Sequence, residues 1–377
     1  MTDTLGLYLH IPYCRSRCRY CGFYSLPALP DDRFVAAMLQ EMKGYSSRFE
    51  EKACDTVYFG GGTPSVLSPS QLSRLMEGVR TSFHVTDDAE ITMEMNPCDM
   101  TEEYLAAARR LGVNRLSIGV QERHDRLLST IGRRHTGREA ERAVRRAFRS
   151  GFRNMSIDLM YELPRQSVSD FKASLLWAMH LPITHMSIYS LILEEGTPFT
   201  RLAERGRLPR PTEGESWAMY QAMCRIPVHY GFSRYEISSF ARPGCESRHN
   251  EKYWRLDPYL GLGPAACSRI GRERWKNVPG TAQYVQALLS GESAPKEVET
   301  LTESDEIEEY CFLHLRMAAG IELADFERRY GRPLSDWYGP RTARLKAENL
   351  LQEKEGTLRL TAKGMALGNL VFEEFLL

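Results

Sequence analysis

The stretch Leu5-Gly-Leu-Tyr8-Leu-His10-Ile11-Pro-Tyr-Cys14-Arg-Ser-Arg-Cys18-Arg-Tyr20-Cys21 opens with a short apolar, β-rich run and ends in three thiols within eight residues. The same grammar recurs downstream. Runs at Thr56–Phe59, Glu90–Met95, Arg115–Val120, Met155–Leu159 and His185–Tyr189 each end in polar or glycine residues, and amphipathic segments lie between them. One such segment is 34–45, with Phe34, Met38 and Met42 on one face; another is 139–150, with Ala140, Val144, Ala147 and Phe148. Strand and helix in alternation imply parallel βαβ units. Six units are visible where a closed barrel has eight. The expectation is therefore an α/β fold, either an open partial (β/α)6 TIM-like barrel or a doubly wound sheet. The barrel is favoured because Cys14–Cys21, Gly60–Thr63, Glu94, Gln121 and Asp158 all follow the carboxyl ends of different strands, the face where barrels collect their sites.

Composition narrows the function. The 377 residues carry 49 Lys+Arg against 49 Asp+Glu, with 42% hydrophobic and 26% charged residues. That is an ordinary globular balance, and it lacks the positive excess of a whole-chain nucleic-acid binder, so no nucleic-acid partner is expected. No stretch approaches the ~18 uninterrupted apolar residues of a membrane-spanning helix. The amino terminus lacks a basic and then apolar leader, and nine cysteines, three in one tight cluster and six dispersed, make a poor disulfide framework. A cytoplasmic, reducing setting is expected, with peripheral membrane contact left open. From Tyr235 to Arg269 the chain reads as irregular. Acidic Glu303–Glu309 opens a helix through Arg316, and Leu358–Gly364 reads as a strand running into a helix at 365–375. The division expected is 1–230 for the barrel, 231–299 for an extension, and 300–377 for a small α+β, winged-helix-like unit. Residues 301–377 hold 14 acidic and 10 basic residues, which argues against DNA binding there.

Three thiols at x3 and x2 spacing let one loop wrap a soft-metal centre. Arg15, Arg17 and Arg19 between them are expected to lower the thiol pKa values. No second CxxC pair exists to complete a four-thiolate zinc site. Three thiolates on a [4Fe–4S] cube would leave one iron open; a zinc site completed by His10 is the competing reading, as is a set of three unrelated cysteines.

His10-Ile-Pro-Tyr-Cys14-x3-Cys18-x2-Cys21 resembles the opening of radical S-adenosylmethionine (SAM) proteins, in the branch of oxygen-independent coproporphyrinogen III oxidases and HemW-type heme chaperones. The resemblance runs over nearly the whole chain. It implies a [4Fe–4S] cluster on Cys14, Cys18 and Cys21 whose open iron chelates SAM. It further implies that Tyr8 lies near the sulfonium and Tyr20 packs on adenine. Gly60, Gly61, Gly62 and Thr63 would hold the methionine amino group, while Glu94, Gln121, Arg133 and Asp158 would contact methionine and ribose.

Within that branch the oxidases carry a fourth cysteine two residues beyond the third, where this chain has Phe23. His249-Asn250-Glu-Lys-Tyr253-Trp254 resembles the HNxxYW motif tied to heme binding in the chaperones. An imidazole is a common heme ligand, although an ordinary interface loop fits the same residues. The resemblance thus implies a heme chaperone with heme near His249, passing heme to an acceptor protein. The alternatives are an oxygen-independent coproporphyrinogen III dehydrogenase and a zinc-dependent binding module. Two departures stand out: Cys267 where relatives commonly have His, and Glu162 where they usually have Gly.

Overall fold

The computed structural model describes residues 4–376. Six parallel strands follow one another in space as in sequence: β1 (Leu5–Ile11), β2 (Ala53–Gly61), β3 (His84–Met95), β4 (Arg115–Gln121), β5 (Asn154–Tyr161) and β6 (His185–Ser190). The order never reverses, so this is the expected partial barrel and not a doubly wound sheet. The sheet continues past both ends. Beyond β6 lie β7 (Ser233–Arg234) and β8 (Ser239–Ala241), with β8 antiparallel to β6. Beyond β1 lies β9 (Tyr259–Leu262), parallel to it, then the antiparallel β10 (Cys267–Ile270), β11 (Glu273–Asn277) and β12 (Lys296–Thr300). All twelve form one open sheet.

Alternation along each strand sorts the two faces. In β1, Leu5, Leu7, Leu9 and Ile11 are wholly buried in the outer core beneath the helices, while Gly6, Tyr8 and His10 turn to the concave face, which collects polar groups. The helix Asp32–Ser46 covers this strand with Phe34, Met38 and Met42, as expected, and its first turn is capped by the Asp31 carboxylate. The helix Gly137–Arg149 begins on a Thr136/Glu139 capping box and buries Ala140, Val144 and Ala147. Phe148 departs from expectation: it is exposed, and Arg153 lays its guanidinium 4.2 Å from the ring centroid.

The region Tyr235–Arg269, expected to be irregular, is ordered. It supplies β8, the helix Arg248–Arg255, β9 and β10. These elements run three to eight residues, too short to show a period.

The helix Glu303–Arg316 forms with the expected bounds. After it come β13 (Ile321–Glu322), two helices, and the hairpin β14 (Leu351–Lys354) and β15 (Thr357–Leu360), a winged-helix arrangement. The helix expected at 365–375 is broken at Leu367 into two short ones. A second core, from Leu256 and Ile307 to Phe375, sits apart from the barrel core.

Candidate functional site

The loop 14–26 leaves β1 and closes on itself: the Cys14 amide donates to the Leu26 carbonyl at 2.9 Å and the Leu26 amide to Pro12 at 2.7 Å. Two neighbouring loops grip it. The Arg19 amide donates to Ile131 after β4, and the Phe199 amide donates to Arg19 from the segment after β6. The three thiols so held line a cavity of about 550 Å³ at the carboxyl ends of the strands. Among the described residues no set of three His, Cys, Asp or Glu groups converges as a single-ion site. A lone zinc would need its sulfurs about 4 Å apart; a cube, whose irons each take one thiolate, needs them further spread.

Of the arginines between the cysteines only Arg17 acts as expected, its charge pulling on the Cys21 thiol, and burial outweighs it. Arg15 turns away to Asp99 at 2.9 Å, and Arg19 reaches the Thr130 carbonyl. Burial instead pushes the Cys14 and Cys21 thiols up in the metal-free chain. The cation that hydrogen-bonds a thiol is Arg133, which donates to Cys18 Sγ at 3.6 Å and to the Gly119 carbonyl. Thr63 Oγ1 sits 3.3 Å from Cys14 Sγ.

Cys14, Cys18, Cys21, Tyr20, Gly61, Gly62, Thr63, Glu94, Gln121, Arg133 and Asp158 all line the one cavity. The glycine run is there for space. Gly61 has φ +111°, and a Cβ on Gly62 would stand 2.6 Å from the Tyr13 carbonyl oxygen. Gln121 closes β4 in a left-handed conformation, φ 70°, beside a register shift in the sheet. Such strain collects at functional sites.

Glu94 and Asp158 face each other's field. Burial first, then Asp158, raises Glu94 to about 7; its Oε1 accepts from Tyr58 at 2.9 Å. Burial raises Asp158 to about 6 against the pull of Arg115 and Arg133. Arg133 Nε is buried without a hydrogen-bond partner, and Arg115 Nε, likewise without one, lies 3.8 Å from the buried Glu90 Oε2. The cavity thus offers under-compensated carboxylates, guanidinium Nε–H groups that make no hydrogen bond, and soft thiols. That donor set fits an iron–sulfur cluster together with a zwitterionic sulfonium ligand bearing hydroxyls.

Tyr8, Gly60 and His249 lie one layer deeper. The Tyr8 hydroxyl meets His10 Nδ1 at 3.1 Å, and Gly60 leaves room for the Tyr8 and Tyr58 rings. His249, on the helix Arg248–Arg255, is fully buried. Its Nδ1 pairs with Thr56 Oγ1 and its Nε2 with the Tyr253 hydroxyl, both at 2.8 Å, and its ring stacks 5.1 Å from Tyr58. Burial, then Lys252 and Arg115, lowers it to about 3. Both ring nitrogens are engaged, so in this conformation the imidazole is not open to an iron. Cys267 is exposed on β10.

Tyr58, Arg115, Ser117 and Ser187 also line the cavity or the layer beneath, and sequence reading passed over them. Each lies an even step from a residue singled out, or pairs across strands with one, so the period of two was the available signal.

A family model of the radical SAM superfamily matches residues 8–178, and one of the HemN C-terminal domain matches 301–367. The heme chaperone HemW of Lactococcus lactis is 36% identical over 98% of this chain and 97% of its own. That of Bacillus subtilis is 36% identical over 98% of both. The solved structure of the coproporphyrinogen III oxidase HemN from Escherichia coli, described as a radical SAM enzyme, superposes with a TM-score of 0.87. It is 25% identical and covers 99% of this chain and 90% of that one. With its thiols and charged groups gathered at the mouth of the matching barrel, the chain belongs to the radical SAM superfamily, in the branch of the HemW-type heme chaperones.

Proposed function

We propose that this protein is a radical SAM heme chaperone: it holds one [4Fe–4S] cluster on Cys14, Cys18 and Cys21, binds SAM beside it, and carries heme to an acceptor protein in the cytoplasm. The observation that carries the reading is the convergence on one cavity of three thiols with Glu94, Gln121 and Asp158, from successive strands, and Arg133, from a loop beyond the helix that follows β4. When bound, the cluster and SAM supply one-electron chemistry. The residues of the chain do the rest. Glu94 and Asp158 present carboxylates to a cationic ligand. Arg133 sets positive charge against the Cys18 thiolate and the strand-end carbonyl of Gly119. The glycines of 60–62 let backbone approach the ligand.

The loop is held by backbone hydrogen bonds at Leu26, Ile131 and Phe199, and Cys18 itself is only half-buried, so Cys18→Ala is expected to abolish the cluster and leave a soluble, folded protein. Iron and sulfide analysis after anaerobic reconstitution checks this; unchanged cluster content would refute the ligand assignment. Hemin titration, with and without SAM, tests the cargo.

The fold shared with HemN favours one competing reading, coproporphyrinogen III dehydrogenase. Phe23, at the place of the oxidases' fourth cysteine, speaks against it. Anaerobic turnover of coproporphyrinogen with SAM and reductant decides, since substantial protoporphyrinogen formation would replace the chaperone reading.

A further inference from the structure

A barrel interior is ordinarily filled by branched aliphatic side chains. The concave face beneath the cavity carries phenols instead. Tyr58 on β2 lines the cavity, Tyr8 on β1 pairs with it across the strands, and their rings stand 6.1 Å apart. Tyr8 lies 6.4 Å from the His249 ring, His249 5.1 Å from Tyr253, and Tyr253 4.6 Å from Tyr259. On β9, Gly261 pairs with Tyr8, and a Cβ there would collide with the Cys267 carbonyl, so the missing side chain lets Cys267 close over the row. The charge of a Cys267 thiolate bears on the Tyr8, Tyr253 and Tyr259 hydroxyls, and the residue is exposed.

Each inner phenol also has a base. Tyr58 donates to Glu94 Oε1 at 2.9 Å, and the Tyr253 hydroxyl meets His249 Nε2 at 2.8 Å. His10 donates from Nε2 to the Tyr24 carbonyl at 3.0 Å, which leaves its Nδ1 to accept from Tyr8 at 3.1 Å. Burial lowers both imidazoles, so they are neutral at pH 7 and hold a lone pair for a proton. A phenol gives up an electron readily only when its proton can leave with it, and a base at hydrogen-bond distance meets that condition. Packing alone would be served as well by phenylalanine, which has no buried hydroxyl to satisfy.

We propose that the row Tyr58, Tyr8, Tyr253, Tyr259 and Cys267 carries oxidising equivalents from the cavity to the surface and so protects the site from hydrogen peroxide. This rests on the reading that the cavity holds iron. Reduction of peroxide to water takes two electrons. Ferrous iron supplies one, and the row supplies the second before a hydroxyl radical is released. In each step a phenol gives its electron to the preceding residue and its proton to its own base, solvent in the case of Tyr259. Its phenoxyl then takes an electron from the next residue and its proton back from that base. At the outer end Cys267 loses an electron to Tyr259 and a proton to solvent. The sum is peroxide, ferrous iron, one thiol and one proton giving two waters, ferric iron and a thiyl radical. A small soluble thiol then returns a hydrogen atom to Cys267.

The test mixes the reconstituted, reduced protein with hydrogen peroxide, reads radicals by freeze-quench electron paramagnetic resonance, and maps nitrone spin-trap adducts by mass spectrometry. Iron content and the rate of Cys267 alkylation by iodoacetamide are measured on every variant. The wild type is expected to carry its main adduct on Cys267. Cys267→Ser, at the surface, should strand the radical on the phenols and raise the tyrosyl signal at least threefold. Tyr8→Phe/Tyr253→Phe, which keeps both rings, should lower the Cys267 adduct at least fivefold at equal iron content and equal alkylation rate, with adducts moving to Tyr58. A Cys267 adduct within twofold of wild type in that double variant would overturn the path, because the thiol is then attacked from solution. An unchanged tyrosyl signal in Cys267→Ser would overturn it too, and does so whether or not the double variant folds. Either result in iron-loaded protein leaves the chaperone reading intact. Reconstituted wild type without iron would defeat the cluster reading and this path with it.

Discussion

Glu162 holds the backbone of a glycine: its φ is +62° in the turn after β5. A left-handed backbone costs a side-chain-bearing residue about 1 kcal/mol or more. What Glu162 gains is an ion pair with Arg210 at 3.7 Å, half exposed on the arginine side and worth little. Glu162→Gly should therefore stabilise the protein by roughly 0.5–1 kcal/mol, read as a higher urea midpoint at unchanged slope. Glu94 sets a pH dependence of opposite sense to that of an ordinary paired carboxylate. Its pKa in the fold is raised to about 7, so between the usual carboxylate range and pH 7 the folded state holds a proton that the unfolded chain has released. Its contribution is favourable at low pH and is lost as pH rises to 7. Glu94→Gln should be more stable than wild type at pH 8, by roughly 1–3 kcal/mol allowing for its partial opening to the cavity, and the difference should vanish near pH 4. Denaturant titrations at the two pH values measure it.

At the scale of elements, the helix Arg248–Arg255 is a bridge. At one end His249 stands under the Tyr58 ring, and Tyr58 donates to Glu94, so the helix props the floor of the cavity. At the other end Trp254 lies under the Arg316 guanidinium, 4.4 Å from its ring centroid, on the helix that begins the C-terminal core. Removing the imidazole would leave Thr56 and Tyr253 hydroxyls unpaired and open a void. His249→Ala should cost about 2–4 kcal/mol in the heme-free protein, and His249→Gln, able to restore a hydrogen bond, should recover part. A residue that served only as an exposed iron ligand would show no such loss on thermal denaturation without heme.

At the scale of the whole molecule, an ion network fastens the C-terminal unit to the sheet edge. Glu309 accepts from Arg269, which is 4% exposed, and from Arg274 at 2.6 Å; Glu306 accepts from Arg272 at 2.7 Å and Arg329 at 2.8 Å. Glu309→Gln strands a buried guanidinium. It should cost about 2–4 kcal/mol and split calorimetric unfolding into two transitions, the C-terminal core melting first. Glu303→Gln, whose pair with Arg272 is exposed on both sides, is the control and should change stability by less than about 0.5 kcal/mol.

The six barrel strands, the capped helices over them and the thiol loop were legible in one dimension because each rests on local rules. Period two marks a strand, and Asp31 or Thr136 marks a helix start. The spacing of Cys14, Cys18 and Cys21 is a property of one loop. Cavity-lining residues such as Glu94 and Asp158 were legible through resemblance and strand ends together. Other features depend on residues far apart in sequence, and only the tertiary structure decided them. Ordering of Tyr235–Arg269 depends on β1 accepting β9 and on Glu90 reaching the amide of His249 across 159 positions. The Cys14 and Cys21 thiols are raised by desolvation in the packed loop, against the pull of Arg133 and Arg17. Whether His249 faces solvent, ligand or core is likewise a matter of what Thr56 and Tyr253 bring to its two nitrogens. Side-chain periodicity encodes which way a residue points, but burial and partnership are set by the chain segments that arrive from elsewhere.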